Sequence, residues 1–382
     1  MERENRTAFF GERGRIPGMS VEILGIGIAT PRQSLQQDKI AALAKAYSCE
    51  NSKQERVLES LYRMTEIKQR GSVLVGGNDD EQSMPFFPTR ISSDDHGPGT
   101  EERMQRYAQE SVPLAVAAAE NALRESGLLL SEITHLVTVS CTGFFAPGPD
   151  IALIKRLNLN PEVSRLHIGF MGCHGALNGL RQCLSVAGAD PDARILLCAV
   201  ELCSLHMQYG WNPHSILANA LFADGAAAVV LAPAKDNRDE SKAWKVVSSG
   251  SCVLPDCEDA MTWKIGDHGF EMTLSHRIPD LIRQHLRPWL ERWLARHSQT
   301  IGNIPTWAVH PGGPRILREV VDVLYLPNDS IAASRAVLAE FGNMSSPTIL
   351  FILDRLRAQG APRPCLAIGF GPGLAIEVAL LM

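Results

Sequence analysis

The sequence predicts an α/β protein built from two related halves. Three observations carry this expectation: strand-like and helical patterns alternate along the chain, the same series of strands occurs twice, and 382 residues exceed what one hydrophobic core usually organises. In the first half, short apolar and β-branched segments fall at 21–27 (VEILGIG), 135–141 (HLVTVSC), 194–202 (RILLCAVEL) and 226–232 (AAAVVLA). Gly, Pro or polar turns bound each one, as strands require. The second half repeats the series at 244–250 (WKVVSSG), 306–313 (TWAVHPGG), 365–371 (CLAIGFG) and 374–381 (LAIEVALL). Between strands, 112–127 and 278–297 space their apolar residues by three and four, which predicts helices.

The polar stretch PAKDNRDESK at 233–242 marks a seam, giving one unit over 20–235, a second over 236–382 and a polar arm at 1–19. Residues 76–106, rich in Gly, Pro, Asp and Ser, read as a long surface loop before the helix that follows.

With 45% hydrophobic and 21% charged residues, the composition is that of an ordinary globular protein rather than a disordered or fibrous one. A net charge of -5 repels phosphate backbones, and no basic run offsets it, so nucleic acid is not an expected partner. A local basic rim for one anionic ligand stays compatible with that balance. The first residues lack the roughly 7–15-residue apolar core of a secretion signal, with Met19 a second candidate start. No apolar run approaches the ~20 residues that cross a bilayer. Nine cysteines, an odd number with several inside apolar runs, suit reduced buried thiols and a cytoplasmic protein better than a disulfide framework. Cys252 and Cys257 stand alone as a pair, where structural zinc needs four ligands, so no metal is expected.

Three residues stand out chemically. Cys173 follows a strand-like run ending at Gly172 and precedes a helical pattern with Leu177, Leu180 and Leu184 on one face. An arbitrary Cys is more often a small buried hydrophobe. At a helix N-terminus, however, free amides and partial positive charge favour the thiolate; a fall in pKa from ~8.5 to ~6 would make it the dominant form at neutral pH. Asn343, in EFGNMSSPTILFILD, stands before the second half's corresponding helix, with Pro347 in the first turn. A plain N-cap explains such an Asn equally well. His310 leaves the strand TWAV into PGGP, and a lone His there is more often structural. Related halves bring the two helix starts face to face, supplying a nucleophile from one and a neutral donor from the other.

The segments GFMGCHGALNGLR, ALFADGAAAVVL, WAVHPGGPRIL, FGNMSSPTILFILD and GFGPGLAIE, with ILGIGIATP near the start, resemble the motifs of type III polyketide synthases. This is the chalcone and stilbene synthase family, and the chain is similar to its bacterial-like members from about residue 20 to the C-terminus. The resemblance implies the thiolase fold: two duplicated halves with mixed five-stranded sheets and buried central helices. It implies a homodimeric acyltransferase that condenses malonyl-CoA iteratively onto an acyl-CoA starter and cyclises the product to a pyrone, resorcinol or related aromatic polyketide. No cofactor beyond the CoA substrates is implied, and Cys173, His310 and Asn343 match the family's catalytic residues.

In the same terms, Phe222 matches a gatekeeping phenylalanine, and Met272 falls near a second one. Cys141, Cys203 and His206 stand where plant chalcone synthases line the cavity with threonines, which separates this chain's starter and cyclisation from theirs. Ser345 and the Gly373 of the GFGPG loop match cavity residues, and Arg63 matches a CoA-binding base, with Lys68 and Arg70 nearby. A β-ketoacyl synthase that extends once on acyl carrier protein shares fold and residue types; the HPGGP and GNMSS contexts count against it. A non-catalytic subunit of the same fold would need no thiol at a helix start.

Overall fold

A computed structural model of the chain describes residues 20–76, 83–235 and 243–382. The expected arm at 1–19 and most of the expected seam lie outside these residues. The first half runs β1 (Val21–Ala29), β2 (Ser34–Gln36), α1 (Gln37–Ser48), α2 (Ser52–Met64), β3 (Gln69–Gly71) and α3 (Thr100–Ser126). It continues through β4 (His135–Ser140), α4 (Pro149–Leu157), β5 (Ser164–Gly169), α5 (Gly175–Ala189), β6 (Ile195–Leu202), α6 (Pro213–Leu221) and β7 (Asp224–Pro233). The second half opens with β8 (Trp244–Val253), the hairpin β9 (Met261–Gly266) and β10 (Gly269–Leu274), and α7 (Ile278–Ala295). It closes with β11 (Thr306–Val309), α8 (Pro314–Leu324), α9 (Ala332–Phe341), α10 (Thr348–Ala358), β12 (Cys365–Gly371) and β13 (Ala375–Leu381).

The duplication read from the sequence is visible in the strand order. Nine strands form one sheet, β5-β4-β6-β7-β1-β8-β13-β12-β11, which reads the same from either end once the extra edge strand β5 is set aside. In each half a parallel pair, β4 with β6 or β11 with β12, is followed by antiparallel neighbours. The halves meet where β1 pairs β8 over Val21–Ile23. Among the described residues the second half contributes four strands to this sheet, against the expected five.

The apolar periodicity of α5 and α10 is matched by burial of their N-terminal turns. Gly175–Leu180 and Thr348–Leu353 are buried without a break. α5 packs on β4 and β6 of one half and on β8 and β13 of the other; α10 reaches β1, β7 and β11. Both helices thus form the middle layer, with α3 and α4 against the outer face of one half and α7 and α8 against the other.

Two elements differ from expectation. The helix expected over 112–127 begins at Thr100, inside the stretch read as loop, and carries Pro113 in its interior. Its start is held by the other half: the Thr100 N–H donates to Asp267 O at 2.8 Å, and Thr100 Oγ1 accepts the Gly269 N–H at 2.9 Å. That anchor is the β9–β10 turn, distant in sequence. The hairpin itself alternates apolar Met261, Trp263 and Ile265, then Phe270, Met272 and Leu274, with polar residues, a strand signal left unused in the sequence reading.

β1 lies against the backbone of α3. A Cβ on Gly27 would stand 2.2 Å from Ala118 O and 2.3 Å from Ala122 N, while Ala115, Ala118, Ala119 and Ala122 are fully buried. Small residues on both sides permit this approach. Gly27→Val is expected to cost at least the ~1–3 kcal/mol of overpacking, read as a lower denaturation midpoint; an unchanged midpoint would refute the tight contact.

Candidate active site

Cys173 lies in a 3-10 turn, Gly172–His174, that runs directly into α5. Gly172 has φ +66°, and a Cβ there would meet Pro372 Cδ at 2.6 Å, so the turn closes only on glycine. The thiol is 6% exposed and opens onto an apolar cavity. Burial pushes it up to about 11, against the opposing pull of the Ser345 hydroxyl, the Asn343 side chain and its own backbone amide. The depressed value expected from the helix start alone is therefore corrected: desolvation outweighs the helix end.

Asn343 does not cap α10, whose N-cap is Pro347. It forms a parallel bridge with Phe222: its N–H donates to Leu221 O at 3.0 Å and its carbonyl accepts the Ala223 N–H at 2.9 Å. Oδ1 accepts the Ser345 N–H at 2.8 Å, which directs the amide NH2 outward as a donor. Asn343 and Phe222 are thus positioned as one unit.

His310 extends the β11–β12 ladder, its N–H donating to Ile368 O at 2.8 Å. The ring is buried and neither ring nitrogen has a hydrogen-bond partner. Burial, with His174 adding to it, pushes it down to about 3, so the imidazole is neutral at physiological pH. Buried polar atoms normally find partners; an unpartnered imidazole beside the turn of Cys173 is a group held ready for one. His174 itself bonds Asn178 Oδ1 through Nδ1 at 2.7 Å.

The cavity gathers most of the remaining expected residues. Cys173, Cys141, Cys203, Phe222, Met272 and Ser345 all line it. His206 lines it too, but its ring is occupied: Nε2 donates to Thr142 O at 2.6 Å and Nδ1 accepts the Phe270 N–H at 2.9 Å. Burial pushes this imidazole down to about 3, so it braces the wall and moves no proton. Gly373, at φ +129°, lies one residue past Pro372, which takes the lining position. Arg63 is exposed in the last turn of α2, away from the lining. Arg70 is buried, with Nε donating to Gln37 Oε1 at 2.9 Å and Nη1 to Asn219 O at 2.9 Å and to Phe222 O.

Sequence reasoning missed Glu201. It is fully buried and accepts from the Cys141 N–H (2.9 Å), the Thr142 N–H (3.0 Å), Thr142 Oγ1 (2.7 Å) and Ser140 Oγ (3.2 Å). Ser346 Oγ reaches its other oxygen from the second half at 2.6 Å. The carboxyl therefore ties both sides of the cavity together. A charge inside the apolar run RILLCAVEL was the available signal. Trp263 and Phe270, from the hairpin, were missed with it; Trp263 Nε1 donates to Cys141 O at 2.7 Å.

Glu201→Ala would strand several buried donors, each costing ~1–3 kcal/mol. A loss above ~3 kcal/mol in chemical denaturation is the expected outcome, and a variant as stable as the parent would rule out the tie.

Comparison with known proteins agrees with this geometry. Residues 12–234 match the N-terminal domain model of chalcone and stilbene synthases, and 245–382 match the C-terminal one. An alpha-pyrone synthesis polyketide synthase-like protein of Mycobacterium tuberculosis is 31% identical over 369 residues, covering 94% of this chain and 91% of its own. The 1,3,6,8-tetrahydroxynaphthalene synthase of Streptomyces peucetius is 37% identical over 274 residues, 71% of this chain and 72% of its own. The crystal structure of PKS-I from the brown alga Ectocarpus siliculosus superposes with TM-score 0.86 at 32% identity, covering 95% of this chain and 98% of that one. The chain, a duplicated fold with a thiol before one central helix, an amide before the other and an imidazole at the end of β11, matched over 12–234 and 245–382 by the two domain models, belongs to the chalcone and stilbene synthase family, the type III polyketide synthases.

Proposed function

We propose that this chain condenses malonyl-CoA iteratively onto an acyl-CoA starter through a thioester on Cys173, and that the finished chain cyclises to a pyrone or aromatic polyketide. The observation that carries the reading is the thiol turned into an apolar cavity, with the Asn343 side chain acting on it and an unpartnered imidazole held beside its turn. The starter's acyl carbon bonds to Cys173 Sγ as CoA leaves. Malonyl-CoA then loses carbon dioxide, and its enolate oxygen takes hydrogen bonds from the His310 ring and the Asn343 amide. The enolate carbon attacks the Cys173 thioester, the carbon-sulfur bond breaks, and the chain, two carbons longer, stays on CoA until it reloads. A carboxylate in place of Asn343 would repel the enolate. Phe222, bridged to Asn343 yet facing the cavity, separates the reacting oxygen from the growing chain.

His310 has a second task. The thiol stays protonated when burial alone acts on it, and the imidazole can accept its proton, each ion then serving as the other's counter-charge. Arg63, exposed next to the cavity-lining Tyr62, is assigned to CoA phosphates. A homodimer, in the cytoplasm, completes the reading. The edge strand β5 and the turns beside it expose Leu166 (46%), Phe170 (38%), Met171 (44%) and Phe144 (50%), an apolar rim suited to a second copy.

With malonyl-CoA and a range of starters, Cys173→Ala is expected to yield no polyketide by mass spectrometry; products persisting in it would overturn the assignment, and a single extension on acyl carrier protein would replace it. Asn343→Ala should lower kcat by about 10²–10³. Alkylation of Cys173 by iodoacetamide at neutral pH should slow roughly tenfold or more in His310→Gln. The sign follows from the thiolate being the reactive form: without the proton acceptor, its pH midpoint moves up toward about 11. An identical pH profile would exclude the proton transfer. Leu166→Glu should shift the protein to monomer in light scattering, and a persistent dimer would locate the interface elsewhere.

A further inference from the structure

We infer that the starter is a flexible, saturated aliphatic acyl-CoA whose chain lies between α1 and α6. The inference rests on the condensing reading above and adds the substrate class. The cavity that holds Cys173 continues along one face of α1, formed by Ile40, Leu43, Ala44 and Tyr47, with Ala218 of α6 and Met84 beside it. The four α1 positions follow the three-and-four spacing of a single helical stripe. That stripe faces the cavity rather than being wholly covered by another element: Ile40 and Leu43 are only partly buried.

Most polar side chains in the walls are committed to the protein, with Arg70 Nη2 and the hydroxyls of Tyr47 and Ser215 among the exceptions. His206 spends both ring nitrogens on backbone, Trp263 gives its N–H to Cys141 O, and Arg70 binds Gln37 and two carbonyls. The Asn219 side chain donates to Gln208 O at 2.9 Å and accepts the Gln208 N–H at 3.2 Å; the Thr142 hydroxyl donates to Glu201. A phenolic hydroxyl on a starter would meet groups already paired around His206, Trp263, Thr142 and Asn219. The aromatic faces are likewise turned on one another: His206 stacks on Phe270 at 4.2 Å and 15°, and Trp263 meets both rings edge-on at 88° and 80°. The apolar part of the lining includes Leu43, Ile40, Met84 and Met272, side chains that accommodate a flexible hydrocarbon by dispersion contacts.

The test gives the full-length protein malonyl-CoA with acetyl-, hexanoyl-, decanoyl-, palmitoyl-, benzoyl- or hydroxybenzoyl-CoA and reads kcat/KM and product mass. A saturated chain longer than acetyl is expected to exceed hydroxybenzoyl-CoA by roughly tenfold or more. Leu43→Trp should move the preferred chain to a shorter one, and Leu43→Ala to a longer one, with thermal melts confirming that each variant is folded; if the Trp variant does not fold, the Ala variant decides. An aromatic starter or malonyl-CoA alone as the best primer, or an unmoved chain-length preference in a folded variant, would overturn the inference while leaving the condensing reading intact. Extension of no starter at all would remove both.

Discussion

Two helices whose first turns are wholly buried, brought together where Cys173 and Asn343 interact, are the constraint from which the site follows. α5 and α10 lie between the halves of a duplicated sheet, so residues 172–174 and 342–347 just before them are shielded from water. Backbone and side-chain polar groups there must be satisfied from within. Ser345 turns its N–H to Asn343 Oδ1, Met344 its N–H to Thr348 Oγ1 at 2.9 Å, and Ser346 its hydroxyl to Glu201 in the other half. The helix that starts after Asn343 is thereby fixed to the wall that carries Cys141 and Thr142. The groups this network leaves over are the ones available to substrate.

Burial also sets the electrostatics. It raises the Cys173 thiol and lowers the His310 imidazole, so both are neutral while each stands alone. A neutral imidazole is the form that accepts a proton and, on its protonated nitrogen, donates to an enolate oxygen. Glu201 is pushed up by the same desolvation and pulled back by the Ser346 hydroxyl and the donors at Cys141 and Thr142. Its charge also raises the neighbouring thiol. In the proposed reading an acidic brace lies near the thiol that gives up its proton, and His310 is the group that would carry the counter-charge.

The apolar lining holds one part of the candidate site and leaves the rest outside it. His310 and Asn343 lie outside the apolar lining, whereas Cys173 faces into it, and Phe222 stands at the boundary with its backbone bridged to Asn343. Displacing one of these elements displaces the other. The wall of Trp263, His206 and Phe270 comes from both halves and is locked by bonds to backbone, which makes the cavity's shape a property of the assembled fold.

Much of the fold was legible beforehand because it is written in local patterns. The eight repeated strands required only apolar runs and their turns, and the helix starts at Cys173 and Asn343 only their Gly, Pro and spacing. The Thr100 start of α3 was not legible, since its anchor is the turn at Asp267 in the other half. His206 could be placed at the cavity from its segment, but not its inertness, which depends on the carbonyl of Thr142 and the amide of Phe270. The sequence by itself determined the duplication, because that follows from periodicity, and its motifs singled out Cys173, His310 and Asn343 as candidates through their resemblance to a family. Tertiary structure alone decided the protonation of the thiol, the brace at Glu201 and the unpaired state of the His310 ring, because desolvation and hydrogen bonding depend on which distant residues close around each group.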